Sequence, residues 1–315
     1  MPFSPEARAL AKKVSNWGRW GDDDQVGCGN LLTPEATARG LAAVRTNERI
    51  SLAVDLVEEG IQVGQPAGRF NAVVTPTSLN ERDKMAPGIW FGTDDMVSMS
   101  TCAGTHIDGL CHVGYDDQLY GGRPSSTIGA RNGASWCGVE HLPTIVTRAL
   151  LVDVPRLRGV DILPAGTAVT AADLDAAIDG AGLTVEPGDV ILVRTGDITF
   201  YLSGDRRRYA VGESWQCTGL GATCIEWFAD RDVAGVFSDT YTYEVMPPES
   251  GNWDDLLVVH MIQLRDMGLL QGQNWNLEDL AVACAEQDRI DVLLLAAPEP
   301  IVGATSAPVH PVAIL

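Results

Sequence analysis

The feature that most constrains the fold of this 315-residue chain is a set of short apolar runs separated by segments of helical character. An apolar run of four to eight residues, bounded by turn-forming residues, is typical of a buried β-strand. Because the runs alternate with predicted helices, the pattern favours an α/β class in which helices cover at least one sheet. The predicted strands are residues 50–54, 149–154, 190–195, 233–238 and 292–296.

Capping residues mark several ends of the intervening helices. Ser4 and Thr33 each place a hydroxyl directly before a proline, an arrangement that favours the first turn of a helix. Thr170 is followed three residues later by Asp173, as in a capping box. Gly180 is placed to end that helix. The predicted helices are residues 5–15, 34–44, 170–179, 221–229, 254–267 and 277–287.

The stretch between the first strand and residue 87 is rich in turn signals, so we predict loops there. Long loops within a compact domain are usually functional or disordered. We expect residues 1–95, comprising the N-terminal helices and this loop, to cover an active site. Trp90 and Phe91 are candidate substrate contacts. Because the sequence contains no linker or repeat, we expect one domain spanning residues 1–315.

Charge and cysteine usage limit the classes of function. The net charge is −20, and the sequence lacks the basic patch of a nucleic-acid-binding protein. The acidic excess also disfavours anionic membranes. No apolar run approaches the roughly 20 residues that span a bilayer, and the N-terminus has no signal-peptide pattern. Seven cysteines without regular spacing indicate a reduced, cytoplasmic protein.

Residues 100–117 carry most of the chemistry in the sequence. Two of the five histidines lie there within seven residues, together with a carboxylate and two thiols. Imidazole, carboxylate and thiolate groups are ligands of Zn²⁺ and similar metals. The candidate ligands are Cys102, His106, Asp108 and His112. Their even spacing would place them on one face of a strand, but a straight strand would hold Cys102 roughly 20 Å from Asp108.

The backbone must therefore curl if these groups are to share one ion. We predict a strand that ends near Cys102, a tight loop, and a helix or loop after Gly109. Gly104 and Gly109 would give the loop its conformational freedom. Two alternatives remain open: a polar loop whose His106 and Asp108 only bind backbone, and a buried, inert Cys102 thiol.

This order of residues resembles the metal-dependent cyclase and hydrolase family, which includes bacterial kynurenine formamidases and isatin hydrolases. The family pattern is His-x-Gly-Thr-His-x-Asp-x-Pro-x-His, and residues 102–112 read Cys-Ala-Gly-Thr-His-Ile-Asp-Gly-Leu-Cys-His. The resemblance covers nearly the whole chain and implies a swivelling three-layer β/β/α fold. It implies that Cys102, His106 and Asp108 hold Zn²⁺ or Mn²⁺, and that the protein is a homo-oligomer, either a dimer or a tetramer. For His112 it favours a catalytic or second-metal role.

Two further residues enter through the same resemblance. The periodicity of residues 256–264 places His260 on one helix face with Leu256 and Leu264, a pattern typical of a core histidine. The family, however, has a functional histidine on the corresponding helix and a glutamate downstream of it. Gln273 stands where that glutamate is expected, and a glutamine can neither carry charge nor accept a proton as a carboxylate does. Asp239 and Glu244, just after a predicted strand, are candidate neighbours of the site.

Together these residues indicate a metal-dependent hydrolase of an amide, imide, formamide or lactone bond in a small cyclic or aromatic substrate. The metal would activate a water molecule, His112 would take the proton of that water, and His260 would return a proton to the leaving group. One rival hypothesis is a cysteine nucleophile at Cys102 or Cys111. Another is a weakly active homologue that binds a small ligand or metal.

Overall fold

The structure is a computed structural model that describes residues 3–82, 85 and 88–315. It contains a nine-stranded sheet, three two-stranded sheets and helices of four to ten residues. The strands are β1 Arg49–Ser51, β2 Val73–Arg82, β3 Phe91–Ser98, β4 His106–Asp108, β5 Ile128–Gly129, β6 Gly133–Ala134, β7 Ile145–Asp153, β8 Ala168–Val169, β9 Val190–Arg194, β10 Gly219–Leu220, β11 Gly235–Ser238, β12 Leu270–Gln273, β13 Asp291–Ala296, β14 Ser306–Pro308 and β15 Val312–Ile314.

Nine α-helices accompany these strands in the described part of the chain. They are α1 Pro5–Val14, α2 Pro34–Ala42, α3 Val154–Arg158, α4 Ala171–Gly180, α5 Ile198–Leu202, α6 Arg206–Val211, α7 Thr223–Asp230, α8 Val258–Met261 and α9 Glu278–Glu286. Helix α8 continues directly into a π-helix, Ile262–Met267. Short 3₁₀ turns occupy Gly27–Leu31, Tyr120–Gly122, Ser125–Thr127, Val139–His141 and Trp253–Asp255.

The large sheet has the strand order β1-β15-β13-β7-β9-β11-β12-β4-β14. Its centre, β7-β9-β11-β12, is parallel, and the strands on both sides pair antiparallel. Strand β4 lies between β12 and β14, so the predicted metal-binding segment is part of the sheet. The α/β class predicted from the apolar runs is confirmed.

Alternating side chains of the central strands enter two separate cores. In β9, Ile191 and Val193 pack in the cluster that contains α1, α4 and α7, whereas Val190 and Leu192 pack in the cluster that contains α9. The first four residues of the strand are buried on both faces, and Arg194 at its end is partly exposed. Burial on both faces explains why residues 190–193 are a continuous apolar run with no alternation of polar residues.

Several local predictions are confirmed. Ser4 and Thr33 cap α1 and α2 by accepting a hydrogen bond from a backbone amide three residues on. Thr170 and Asp173 form a reciprocal capping box at the start of α4. Gly268 ends the π-helix in the left-handed conformation, with φ of 66°.

The predicted continuous helix over residues 254–267 is wrong. The helix begins only at Val258, after Leu257 in the left-handed conformation, and becomes a π-helix at Ile262. Leu256 therefore lies outside the helix and does not share a helix face with His260. The π-helix is held by the N-terminal segment, where Trp17 Nε1 donates to the carbonyl of Arg265 at 2.6 Å.

The predicted loop before residue 87 is also partly wrong. Strands β2 and β3 form an antiparallel ribbon with two register shifts. Nine of the ten residues of β2 and seven of the eight of β3 are exposed. Trp90 and Phe91 lie at its exposed end. Residues 83, 84, 86 and 87 of the predicted loop lie outside the described residues.

None of the helices in the described ranges has the length and apolar character that a membrane crossing requires. All seven cysteines are free and buried.

Candidate metal centre

Strand β4 presents His106 and Asp108 on the same face. The two residues are separated by one position, and Ile107 between them points into the core on the opposite side. The predicted loop at this point is therefore wrong, because the imidazole and the carboxylate are brought together by a strand. Residues 101–104, which include Cys102, form the turn that precedes it.

The two glycines act through close packing. Neither Gly104 nor Gly109 has a positive φ, so the predicted need for conformational freedom is wrong. A Cβ atom on Gly109 would lie 3.1 Å from the carbonyl oxygens of Cys137 and Thr305, and one on Gly104 would lie 2.8 Å from Leu56. At Gly109 the backbones of two other segments leave little room for a side chain, whereas at Gly104 the close neighbour is the end of the Leu56 side chain.

Three polar atoms meet at the centre of the site. His106 Nε2 lies 3.6 Å from Asp108 Oδ1, and His112 Nε2 lies 3.7 Å from the same oxygen. Both His106 Nε2 and Asp108 Oδ1 are buried, and neither has a hydrogen-bond partner among the residues that the structure describes. Buried polar atoms are rarely left unpaired. A cation bound by both atoms would satisfy them.

His112 reaches this point through a tight turn. Its backbone amide donates to the carbonyl of Gly109 at 2.8 Å, and the amide of Gly109 donates to the carbonyl of Thr305, directly before β14. The chain thus turns back directly after β4 and carries the His112 ring over Asp108. The side chain of His112 retains 17% exposure, in contrast to the fully enclosed Asp108.

The electrostatics favour neutral imidazoles beside a carboxylate anion. Burial lowers the pKa of both His106 and His112 below its usual value, and the Asp108 charge offsets only part of this. Burial alone would raise the pKa of Asp108, but the His112 and His106 rings hold it below its usual value. Metal ligands must be unprotonated, and all three groups meet this condition at neutral pH.

The donor set fits a divalent transition metal in part. Two ligands about 2.1 Å from a tetrahedral ion lie about 3.4 Å apart, close to the two separations observed here. Among residues 3–82, 85 and 88–315, however, no three His, Cys, Asp or Glu side chains already have the full arrangement of a metal site. The side chains would have to close slightly around an ion.

Cys102 lies in the turn before β4. Its side chain is buried, and burial raises the pKa of its thiol, with Asp108 contributing to the rise. Its carbonyl accepts a hydrogen bond from Gln62 Nε2 at 2.8 Å, and the neighbouring Thr101 hydroxyl bonds to Ser306 on β14 at 2.7 Å. These bonds fix the turn, while the role of the sulfur as a ligand stays a prediction.

Strand β12 and helix α8 form the other wall. Gln273 Nε2 lies 3.1 Å from Asp108 Oδ2 and 2.7 Å from His260 Nε2. On its other side, His260 Nδ1 lies 2.6 Å from Glu244 Oε1. The structure therefore brings His106, Asp108, His112, His260 and Gln273 into one connected group, with Glu244 behind it.

Two polar residues of this wall are absent from the sequence-based predictions. Gln271 Nε2 lies 3.5 Å from Asp108 Oδ2, and Asn274 Nδ2 donates to the carbonyl of Gly104 at 3.1 Å. The signal that could have identified Gln271 is the Gln-Gly-Gln alternation with Gln273, which places both amides on one strand face.

Asp239 lies at the end of β11, and its side chain serves a neighbouring loop. Its carboxylate accepts hydrogen bonds from the amides of Thr195 and Gly196 and from the Thr195 hydroxyl, at 2.7 to 3.0 Å. The carbonyl of Asp239 accepts from the Tyr209 hydroxyl, which also bonds to Asn274, and this links Asp239 to the site.

Comparisons with known proteins agree with this fold. Residues 43–245 match the family model described as "Cyclase: Putative cyclase". A crystal structure described as a novel cyclase is 30% identical, with a TM-score of 0.86 over 97% of this chain and 99% of that one. The chain therefore belongs to the cyclase family, and the β/β/α fold that the resemblance implies is confirmed.

More distant structures share the fold. Isatin hydrolase A from Labrenzia aggregata, bound to benzyl benzoate, is 19% identical with a TM-score of 0.60, over 87% of this chain and 94% of that one. A structure described as a predicted metal-dependent hydrolase from Bacillus stearothermophilus is 15% identical with a TM-score of 0.50, over 84% and 97%. No curated protein matches the chain.

Proposed function

We propose that the protein is a metal-dependent hydrolase of an amide, imide, formamide or lactone bond in a small cyclic or aromatic substrate. The observation that carries this proposal is the buried, unpartnered pair of His106 Nε2 and Asp108 Oδ1. The isatin hydrolases and the metal-dependent hydrolase among the structural neighbours support it.

His106 and Asp108 would hold a Zn²⁺ or Mn²⁺ ion, with Cys102 as the third ligand. The bound metal would supply an acidified water molecule and polarise the scissile carbonyl group. Neutral imidazole and carboxylate groups suit either ion, and a thiolate would favour zinc. Gln271 and Gln273 donate to the other carboxylate oxygen of Asp108, and so fix which oxygen faces the ligand.

Two imidazoles would handle protons. His112 lies against Asp108 and is partly exposed, which suits a group that accepts the proton of the attacking water. His260 lies on the opposite wall and would return a proton to the leaving nitrogen or oxygen. Gln273 joins His260 to Asp108 and takes the place of the expected glutamate, so no carboxylate at that position shares the proton transfer.

Gln273 also supports a second candidate function. A homologue that binds a small ligand or metal but hydrolyses little would retain the His106–Asp108 pair without a carboxylate at residue 273. The cysteine-nucleophile alternative is less well supported, because burial raises the pKa of the Cys111 thiol to about 12 and also raises that of Cys102. Thiols with raised pKa values are poor nucleophiles at neutral pH.

Metal removal and reconstitution test the proposal. The purified protein is analysed for bound metals, treated with a chelator, and reloaded with Zn²⁺ or Mn²⁺ before assay against cyclic amides, imides, aryl formamides and lactones. We expect turnover to disappear with the metal and to return with it. Activity unchanged by complete metal removal would reject the metal mechanism, and bound metal without turnover would favour the binding function.

We propose a homo-oligomer, a dimer or a tetramer, as the working assembly. The ribbon of β2 and β3 supports this, because an isolated two-stranded hairpin is marginally stable in water and this one is exposed on both faces. A small-molecule substrate remains the proposed partner. The seven free thiols support the proposal of a reducing, cytoplasmic location.

A further inference from the structure

The His260 ring is held at both nitrogens. Nδ1 lies 2.6 Å from Glu244 Oε1, and Nε2 lies 2.7 Å from the amide nitrogen of Gln273. The Tyr243 ring packs edge-on against the imidazole at a centroid distance of 5.1 Å. The ring therefore has a fixed orientation, and its two hydrogen bonds decide which nitrogen carries the proton.

Asp108 decides the orientation of the Gln273 amide. The amide nitrogen lies 3.1 Å from Asp108 Oδ2, and an ionised carboxylate can only accept hydrogen bonds. The flipped amide would place its carbonyl oxygen against that carboxylate, with no proton between them. The amide nitrogen consequently donates one hydrogen to Asp108 and the other to His260 Nε2, which must accept with its lone pair.

Glu244 completes the assignment from the other side. Its Oε1 and Oε2 atoms accept hydrogen bonds from the backbone amides of His260 and Val259 at 3.0 and 2.9 Å, at the start of α8. The carboxylate is buried and held by the first turn of the helix that carries His260. Its Oε1 atom is thus an acceptor for a proton on His260 Nδ1.

We propose that Glu244 is a positioning residue that holds His260 in the Nδ1-protonated tautomer, with the Nε2 lone pair directed at Gln273 and the metal centre. This inference rests on the proposed hydrolase function, and it refines the role of His260 within it. Nε2 carries no proton at the start of turnover. His260 can therefore return a proton only after it has received one: the proton that His112 takes from the attacking water must reach the Nε2 lone pair and then pass from Nε2 to the leaving nitrogen or oxygen.

The alternative is a purely structural role, in which Glu244 only caps helix α8. Glu244→Gln separates the two roles in large part: the amide oxygen can still accept from the Val259 amide in the place of Oε2, while the NH₂ group in the place of Oε1 faces His260 Nδ1 and gives up only the bond from the His260 amide. Glu244→Asp serves as the conservative variant. Asp205→Asn is the matched control, since Asp205 caps α6 by accepting from the Arg208 amide at 3.1 Å and is exposed.

The test records ¹⁵N spectra of histidine-labelled, metal-loaded protein, with His260 assigned by its loss in His260→Asn. We expect a protonated Nδ1 and an unprotonated Nε2 in the wild type, and a mixture of tautomers in Glu244→Gln. We also expect kcat to fall by about 10-fold to 100-fold with KM unchanged, with partial recovery in Glu244→Asp and no change in Asp205→Asn.

Two results would overturn the inference. One is a wild-type His260 with a protonated Nε2. The other is a Glu244→Gln variant with the wild-type ¹⁵N pattern, which would leave Glu244 as a helix cap only. The spectra need no substrate, so they decide the tautomer even if no hydrolysis is found. If the protein is an active hydrolase but His260 is protonated at Nε2, the role assigned to Glu244 is wrong and the proposed hydrolase function still stands.

Discussion

His106 Nε2 and Asp108 Oδ1 face each other at 3.6 Å inside the protein, and within the described ranges neither atom has a hydrogen-bond partner. The two residues lie two positions apart on β4, a short strand between β12 and β14. Their side chains therefore have little freedom to separate. Two ligand side chains that are already fixed in place raise the affinity for an ion, because their conformational freedom has been lost during folding and not on binding.

Asp108→Asn should therefore abolish metal binding while leaving a folded protein. The substitution removes a buried charge, so the metal-free variant should unfold at about the wild-type temperature or above it. The wild type should gain about 2.7 kcal/mol at a metal concentration 100 times Kd, and the variant should gain nothing. Thermal melts with and without Zn²⁺ or Mn²⁺, together with elemental analysis, measure both effects.

His310→Gln provides the control for that experiment. His310 is exposed, and its ring bonds to the Ser51 hydroxyl at 2.9 Å, outside the connected group around Asp108. The His310→Gln variant should have the metal content of the wild type and the same metal-induced rise in unfolding temperature. Equal metal content in Asp108→Asn and the wild type would contradict the proposed centre.

Cys102 can be tested as a ligand by replacing the native metal with Co²⁺ or Cd²⁺. A thiolate ligand should give a sulfur-to-metal charge-transfer band in the near-ultraviolet, and Cys102→Ser should remove it. Cys111→Ser is the matched control, because Cys111 is a buried thiol in the same segment. A wild-type protein that binds the metal without such a band would show that the sulfur is not a ligand.

Gln273→Glu should destabilise the metal-free protein, because it places a second carboxylate against Asp108 at the site of a 3.1 Å hydrogen bond. We expect a loss of about 1–3 kcal/mol in the free energy of unfolding at pH 8. The new carboxyl would have a raised pKa in the folded state. The variant should therefore recover stability as the pH falls and the carboxyl is protonated, and also when a divalent ion is added.

Gln287→Glu is the control for this substitution. Gln287 bonds to Glu48 at 3.3 Å on the surface, so the change creates an exposed pair of like charges. Urea unfolding at pH 8 and pH 4 should show little effect there, since solvent screens exposed charges. A similar loss in both variants would mean that Asp108 is not held in a desolvated, anionic state.

Stability at alkaline pH should be limited by a second carboxylate pair. Burial and the neighbouring Asp239 raise the pKa of Asp197 to about 7. Burial likewise raises that of Asp239, although the hydrogen bonds from Thr195 and Gly196 oppose the rise. Because of those bonds, we assign the negative charge to Asp239 and the proton to Asp197.

The raised pKa of Asp197 decides how the free energy of unfolding changes with pH. In the unfolded chain the group ionises near pH 3.8, and in the folded protein only near pH 7. Burying Asp197 therefore lowers the free energy of unfolding in a pH-dependent way. The loss is absent below about pH 4, grows between pH 4 and pH 7, and is complete above that range. Asp197→Asn should raise the free energy of unfolding at pH 8 by at least about 1 kcal/mol and leave it unchanged at pH 4. Equal effects at both pH values would contradict the buried pair.

Sequence patterns predicted the elements whose signals are local. Thr170 and Asp173 lie three residues apart and close their capping box without any other part of the chain. The same-face placement of His106 and Asp108 follows from strand geometry, although the surrounding loop prediction was wrong. Residues 190–193 form a continuous apolar run because this part of β9 is buried on both faces.

Elements fixed by tertiary context were missed. Strand β12 reads Leu-Gln-Gly-Gln, with two amides that are buried only because they face Asp108 across the adjacent β4. Nothing within that segment signals a buried strand. The roles expected of His112 and His260 came from the family resemblance, since their periodicity alone is equally typical of core residues.

The ribbon of β2 and β3 should be an assembly surface. Val74 and Val97 are opposite each other across the two strands and are 58% and 54% exposed. A pair of β-branched side chains that remains in water stabilises a hairpin little. If a second copy of the chain covers the pair, each Å² of apolar surface removed from water contributes about 25 cal/mol to association.

Val97→Lys places a charge within that surface and should dissociate the oligomer to the 33.6 kDa monomer. Val282→Lys is the matched control, because Val282 is 58% exposed on α9, away from the ribbon. Light scattering coupled to size-exclusion chromatography should report a monomer for the first variant and the wild-type mass for the second. A monomeric wild type, or an oligomer that survives Val97→Lys, would show that the ribbon does not hold the copies together.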